Sequence, residues 1–140
     1  MWTSGRGMNL SGGGCCGIST KGGISNPVVL TGDKHNNWAN ELLLDFDGPV
    51  ERPAGVEFLG TSITSGGDGA DQPDYAATLL AENPFVKYHN NERGYVRCVA
   101  TPKAWRSDFQ TIPYVTRRGA PLATRASFLV ESGSPRLIRL

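Results

Sequence analysis

Residues 27–44 read PVVLTGDKHNNWANELLL, and this stretch decides how the rest of the chain is interpreted. It opens with an apolar, β-branched run at 28–31, which is typical of a buried strand. The chain then turns at Gly32 and presents Asp33, His35 and two asparagines within five residues. In an α/β sheet, the turn that follows a buried strand is where ligands commonly bind. The stretch therefore predicts a strand that ends in a site loop.

Asp33 and His35 are the two residues of this loop that carry chemistry. A carboxylate is a hard oxygen ligand, and an imidazole is either a borderline metal ligand or a proton donor. Separated by one residue, the two side chains could reach the same metal ion or phosphate group. The same residue types are also ordinary in solvated turns, and the Asp-x-His pattern is too short to decide between these interpretations.

Four segments in succession carry a resemblance to a known family. Their order and composition resemble the PhoD-like alkaline phosphatases, a branch of the calcineurin-like metallophosphatases. The resemblance runs from about Asn26 to about Glu131 and corresponds to only the C-terminal part of such an enzyme. The segments are VVLTGDKHNNWANELLLDFD (28–47), GVEFLGTSITSGGDGADQP (55–73), LLAENPFVKYHNNERGYVRC (79–98) and VATPKAWRSDFQTIPYV (99–115).

The resemblance implies a role for each residue of the GDxH motif. In that family the aspartate of this motif is a metal ligand and the histidine lies at the phosphate. Asp33 is therefore the candidate metal ligand, and His35 is the candidate catalytic residue that contacts the phosphoryl group. Asn36 is a further candidate for binding the substrate, although turn capping is the favoured explanation of an asparagine at this position.

The resemblance also implies a cofactor and a reaction. PhoD-like enzymes hold calcium and iron and hydrolyse phosphodiesters or phosphomonoesters, and members are commonly exported. Most of the metal ligands come from an N-terminal part that this sequence does not show. We therefore expect the chain alone to retain neither metal and to have little or no activity. The alternative is a non-catalytic remnant that acts as a structural or interaction protein and associates with itself through exposed sheet edges.

Composition excludes some partners. The formal charge of +1 arises from 14 basic and 13 acidic residues, so there is no reason to propose nucleic acid or an anionic membrane as a partner. No apolar run approaches the length that spans a membrane. The three cysteines are an odd count, which does not suggest a disulfide framework.

The chain divides into three parts. Residues 1–25 hold eight of the 18 glycines and few apolar residues, so they are predicted to be disordered and to lie outside the family match. Residues 26–131 are the predicted domain, and residues 132–140 form a tail with no evident role. The predicted fold class is α/β: a partial metallophosphatase sandwich of mixed β-sheet with few helices and a C-terminal β-meander.

Local patterns place the elements of this domain. A helix is predicted from Asp71 to Asn83, with Asp71 or its neighbour as its cap and Pro73 in its first turn. Residues 56–64 are interpreted as a strand. Residues 38–46 are ambiguous, because 41–44 favour a helix by propensity, and a strand is predicted there because the family resemblance implies one. Residues 85–89, 94–101 and 104–112 are predicted to be three consecutive strands of one meander, and residues 126–130 an edge strand.

Overall fold

The computed structural model describes residues 26–44 and 53–140. The prediction of disorder for residues 1–25 lies outside these described residues. The elements are β1 (Val28–Thr31), β2 (Asn37–Leu42), β3 (Gly55–Leu59), α1 (Ala76–Glu82), β4 (Val86–Asn90), β5 (Arg93–Ala100), β6 (Ala104–Ile112), β7 (Ala123–Glu131) and β8 (Ile138–Arg139).

The described residues are mostly β-structure with one short helix, arranged as two four-stranded sheets. The first sheet has the order β1-β3-β2-β4 and is mixed, because β1 runs parallel to β3 while the other pairs are antiparallel. The second sheet has the order β5-β6-β7-β8 and is antiparallel throughout. The predicted mixed sheet, scarcity of helices and C-terminal meander are confirmed at this level. The predicted α/β class is not, because the described residues form eight strands and only one short helix.

The two sheets pack against each other across one hydrophobic core. The first sheet contributes Phe58 and Tyr88, and the second contributes Phe109 and Phe128. These four rings lie with centroids 4.8–6.4 Å apart, in tilted or edge-on arrangements that aromatic pairs prefer. The aliphatic members of the core are Ala39, Val56, Ala126 and Val130.

The predicted three-strand meander is wrong at its first strand. β4 lies in the first sheet and β5 in the second, so the turn at residues 91–92 passes from one sheet to the other instead of closing a hairpin. Asn90 pairs with Asn37 of β2, whereas Arg93 pairs with Ile112 of β6. The meander begins at β5 and continues through β6 and β7 to β8. The predicted edge strand at 126–130 is therefore an inner strand, because the tail at 132–140 supplies β8, which pairs with it.

The helix begins later than predicted. It spans Ala76–Glu82, and its N-cap is Tyr75, whose side chain makes no capping hydrogen bond. Asp71 lies before this N-cap and is used elsewhere, because its backbone carbonyl and one carboxylate oxygen accept hydrogen bonds from Asn90 Nδ2 at 3.3 and 2.8 Å. The competition for this carboxylate is a tertiary effect that helix propensity cannot anticipate.

β1 is not the buried strand that its sequence suggests. It lies at the edge of the first sheet and pairs only with β3 among the described residues. Leu30 is consequently 55% exposed although it stands opposite Phe58 in the register and thus points to the core side of the sheet.

The outer face of the second sheet carries a buried carboxylate. Asp108 is fully buried beneath Arg97 and Arg106, whose nitrogens lie 2.7 and 2.9 Å from its oxygens, and it also accepts a hydrogen bond from Ser127. Burial raises the pKa of Asp108, but these three hydrogen bonds more than offset that effect and hold it at about 2. Asp108 therefore stays charged and clamps β5, β6 and β7 together at neutral pH.

Within the described part of the chain, no helix has the length and apolar character needed to cross a membrane.

Candidate functional site

The loop after β1 holds the predicted site residues in an unusual backbone conformation. Asp33 and His35 are both exposed, with φ angles of 71° and 56°. A non-glycine residue in this left-handed region costs on the order of 1 kcal/mol, so the surrounding structure must hold the loop in this shape. Strain of this kind is commonly found at ligand-binding loops.

Arg93 is the residue that holds this loop from below. It is 5% exposed, and its Nη1 donates to the carbonyl oxygen of His35. The same nitrogen lies 3.3 Å from both Thr61 Oγ1 and Ser62 Oγ. Arg93 therefore joins the loop of residues 32–36 to the loop that follows β3.

The second loop packs beside the first through main-chain contacts. β3 ends at Leu59, earlier than the predicted residue 64, and Gly60 N donates to Thr31 O at 3.1 Å. Ser62 Oγ then donates to Ser65 O at 2.7 Å, which turns the chain away from the sheet. The GTSITSGG segment thus contributes a loop to the candidate site instead of extending the strand.

Below the two loops lies a network of buried amides and a carboxylate. Asn37 is fully buried; its Nδ2 donates to Asn90 Oδ1 at 3.0 Å, and its Oδ1 accepts from Thr61 N at 3.2 Å. The carboxylate of Glu92 accepts hydrogen bonds from Thr111 Oγ1 at 2.6 Å and from two nitrogens of Arg125 at 2.8 and 2.9 Å. This network links both sheets directly under the candidate site.

An aromatic group flanks the site loop on the outer face of the first sheet. Trp38 packs on His89 with ring centroids 4.1 Å apart, and its Nε1 donates to Asn36 Oδ1 at 2.6 Å. Burial and the nearby positive charge of Lys34 lower the pKa of His89, which keeps its ring neutral in this packed position. His89 is thus a packing residue that steadies the base of the loop.

The candidate metal ligand Asp33 has few potential co-ligands among the described residues. Residues 26–44 and 53–140 contain no group of three or more His, Cys, Asp or Glu side chains that could hold a metal ion. Asp33 and His35 offer two donors, whereas calcium takes six to eight oxygen ligands. The described residues therefore do not fit a calcium and iron cluster by themselves.

Comparison with known proteins identifies the family. The family model for PhoD-like phosphatases matches residues 15–109. Alkaline phosphatase D from Bacillus subtilis (strain 168) is 48% identical to this chain over 108 residues. The chain belongs to the PhoD-like phosphatase family. A solved structure described as the structure of PhoD matches with a TM-score of 0.82 and 42% sequence identity, covering 89% of this chain.

This PhoD-like chain is much shorter than its relatives. The match to the B. subtilis protein covers 77% of this chain but 18% of that protein, and the structural match covers 24% of the chain in the solved structure. The family match begins at Cys15, before the expected start at Asn26, and ends at Phe109, before the expected Glu131. The activity of a whole PhoD-like phosphatase is therefore a proposal for this chain.

The structure brings the predicted PhoD-like site residues together on one loop. Asp33, His35 and Asn36 all lie within the turn after β1, as the GDxH motif predicts. Their roles as metal ligand, catalytic residue and substrate-binding residue stay predictions. Sequence reasoning missed Arg93, because a single arginine at the start of a strand forms no local pattern that distinguishes it from a surface residue.

Proposed function

We propose that this chain is part of a PhoD-like phosphatase that hydrolyses phosphate esters, and that it supplies the phosphate-facing loop of the active site. The observation that supports this most is that exposed Asp33 and His35 lie on one strained loop in a member of this family. Buried Arg93 holds this loop through a hydrogen bond to the carbonyl of His35. The two packed sheets would be a portion of the metallophosphatase sandwich.

The residues of the loop have distinct chemical roles in this proposal. Asp33 would be one ligand of the calcium and iron that the family resemblance implies. Those metals, when bound, would neutralise phosphate charge and activate a water molecule. The imidazole of His35 would donate a hydrogen bond to a phosphate oxygen or protonate the departing alkoxide. Asn36 would donate its amide N–H, since its Oδ1 already accepts from Trp38.

The test places this chain within a complete relative. The matching segment of B. subtilis alkaline phosphatase D is replaced by the corresponding residues of this chain, and hydrolysis of an aryl phosphate and a bis-aryl phosphate diester is measured. Asp33→Asn and His35→Ala are each expected to lower kcat by roughly a hundredfold to a thousandfold, the size of loss seen when one transition-state donor is removed.

The matched control is Asp74→Asn, which removes a carboxylate from an exposed position before α1 and should leave kcat unchanged. The proposed roles would be contradicted if the folded chimera kept full activity with Asp33→Asn and also with His35→Ala, each made separately. The purified chain alone, supplied with calcium and iron, is expected to show no turnover. Robust turnover that Asp33→Ala abolishes would overturn the prediction that the chain needs the rest of the enzyme.

A second candidate function is association through the open edge of the first sheet. β1 presents an unpaired edge within the described residues, and its inward-facing Leu30 is 55% exposed. An unpaired strand with an apolar residue is a template for pairing with another chain. This observation favours a structural or interaction role in which a second copy of the chain pairs with β1.

The edge hypothesis predicts self-association of the isolated chain. Sedimentation velocity over a range of protein concentrations should show a dimer, and Leu30→Lys should raise its dissociation constant at least tenfold, because a charge on an edge strand opposes pairing. Leu122→Lys is the matched control, since Leu122 is similarly exposed but lies in the loop before β7. A chain that stays monomeric at all concentrations would rule out this function.

A further inference from the structure

The buried guanidinium of Arg93 has an unusual electrostatic environment. The side chain is 95% removed from solvent, yet in residues 26–44 and 53–140 no carboxylate lies within ion-pair distance of it. The other buried ionic groups described above, Asp108 and Glu92, each have at least one oppositely charged partner. A buried cation without such a partner is costly unless its hydrogen bonds or a ligand compensate for it.

The hydrogen bonds of Arg93 converge on the candidate site. Its Nη1 donates to the main chain at His35 and to the hydroxyls of Thr61 and Ser62. Gly66, with a φ of 92°, lies against the guanidinium, and a Cβ on Gly66 would be 3.6–3.7 Å from three of its atoms. The guanidinium is therefore enclosed by the two loops, with one nitrogen serving both of them.

We propose that Arg93 is the positioning residue of the site: it fixes the backbone at His35 and supplies a permanent positive charge behind the phosphate-facing loop. This inference rests on the proposed function for the meaning of the loop but not for its geometry. His35 has a left-handed φ, and a charged donor on its carbonyl stabilises that conformation. The unpaired charge of Arg93 attracts an anionic ester toward the same loop without contributing a carboxylate that would repel it.

Backbone order is the first measurement, because it needs no catalysis. In the unsubstituted chain, the NMR order parameters of the amides of residues 33–36 should be about 0.85, the value of a rigid backbone. In Arg93→Ala they should fall below about 0.6, the range of flexible loops, while those of β6 and β7 stay unchanged. Arg136→Ala, which removes an exposed arginine, is the control and should alter neither set.

Arg93→Lys separates position from charge, and it keeps the test informative where the alanine variant fails to fold. Lysine retains the positive charge, but its ammonium sits on a flexible stem and lacks the rigid planar guanidinium that holds Nη1 against the carbonyl and the two hydroxyls. Order parameters between those of the wild type and Arg93→Ala are expected. Values of 0.85 or so for residues 33–36 in either substituted protein, or a flexible loop in the wild type, would overturn the positioning role.

The activity arm uses the chimera described above. Arg93→Ala is expected to lower kcat roughly tenfold, and the double variant with His35→Ala should be no slower than His35→Ala alone, because residues that act through one another are not additive. Independent, multiplicative losses would show that Arg93 does not act through His35. If His35→Ala has no effect on kcat, the proposed function fails, whereas the order parameters still decide the role of Arg93.

Discussion

Replacing Glu92 by alanine is expected to lower the free energy of unfolding by about 3 kcal/mol or more, the loss typical of a buried ion pair from which one partner is removed. The Glu92 side chain is 96% buried and accepts hydrogen bonds from Arg125 of β7 and Thr111 of β6. Asn90 of β4 lies 3.4 Å from the same carboxylate. Alanine would leave Arg125 and Thr111 without this acceptor at the junction of the two sheets.

Glu92→Gln tests the charge separately from the shape. Burial raises the pKa of Glu92, but the hydrogen bonds from Arg125, Thr111 and Asn90 lower it below its ordinary value of 4.5. A carboxyl group with a lowered pKa stabilises the fold above its unfolded pKa, and that contribution is lost as the pH falls through the folded value. The wild type should therefore be more stable than Glu92→Gln at pH 7, with a difference that shrinks below about pH 4.5.

Urea denaturation followed by circular dichroism, at pH 7 and at several acidic pH values, measures both effects. Glu82→Ala is the control, because Glu82 is an exposed carboxylate at the end of α1 and its removal should change stability by less than about 0.5 kcal/mol. Equal stabilities of the wild type and Glu92→Ala would show that the network does not join the sheets energetically. A Glu92→Gln difference that is independent of pH would contradict the charge assignment.

Phe109→Ala is the second substitution with a large expected effect, a loss of about 3–5 kcal/mol in the free energy of unfolding. Phe109 is fully buried, and its ring lies between those of Tyr88, Phe58 and Phe128 at centroid distances of 4.8, 6.2 and 6.1 Å. Truncation removes apolar area from the core and leaves a cavity between two sheets whose backbones cannot close it.

A loss of this size is comparable to the entire stability of a small domain, so a variant with a smaller expected loss is needed alongside Phe109→Ala. Phe109→Leu retains most of the volume and should cost less than half as much, which leaves a measurable transition. Tyr95→Ala on β5 is the control for an exposed aromatic residue, with an expected change within about 0.5 kcal/mol. If Phe109→Leu were no more destabilising than Tyr95→Ala, Phe109 would not be the centre of the core.

Local sequence was sufficient for most strands of the second sheet. The prediction of a strand at 104–112 coincides with β6. Exposure alternates along residues 95–98 of β5, as expected for a strand with one face toward the core, whereas residues 107–111 of β6 are buried on both faces. Period-two patterning is imposed by the pleat itself, so it is visible without knowledge of the partner strand. The GDxH motif likewise placed Asp33, His35 and Asn36 on one turn, because their proximity is a matter of a few bonds.

Local sequence patterns could not predict which strands pair with each other. The residues between β4 and β5 resemble a hairpin turn, yet the two strands belong to different sheets. Gly94 shows why tertiary contacts decide the point: a Cβ there would lie 1.9 Å from Gln110 O, so only glycine permits β5 to approach β6 this closely. The register of a sheet depends on which distant strand supplies the partner, and that information is spread along the chain.

The sequence by itself therefore determined the family resemblance, the strand-rich character and the identity of the loop that carries Asp33 and His35. Only the tertiary structure decided that β1 is an edge strand, that Glu92 and Asn37 join the sheets, and that Arg93 supports the site. The physical reason is the range of the interactions. Periodicity and motifs arise from neighbours in the chain, whereas Arg93 meets His35 and Ser62 across 58 and 31 residues of sequence.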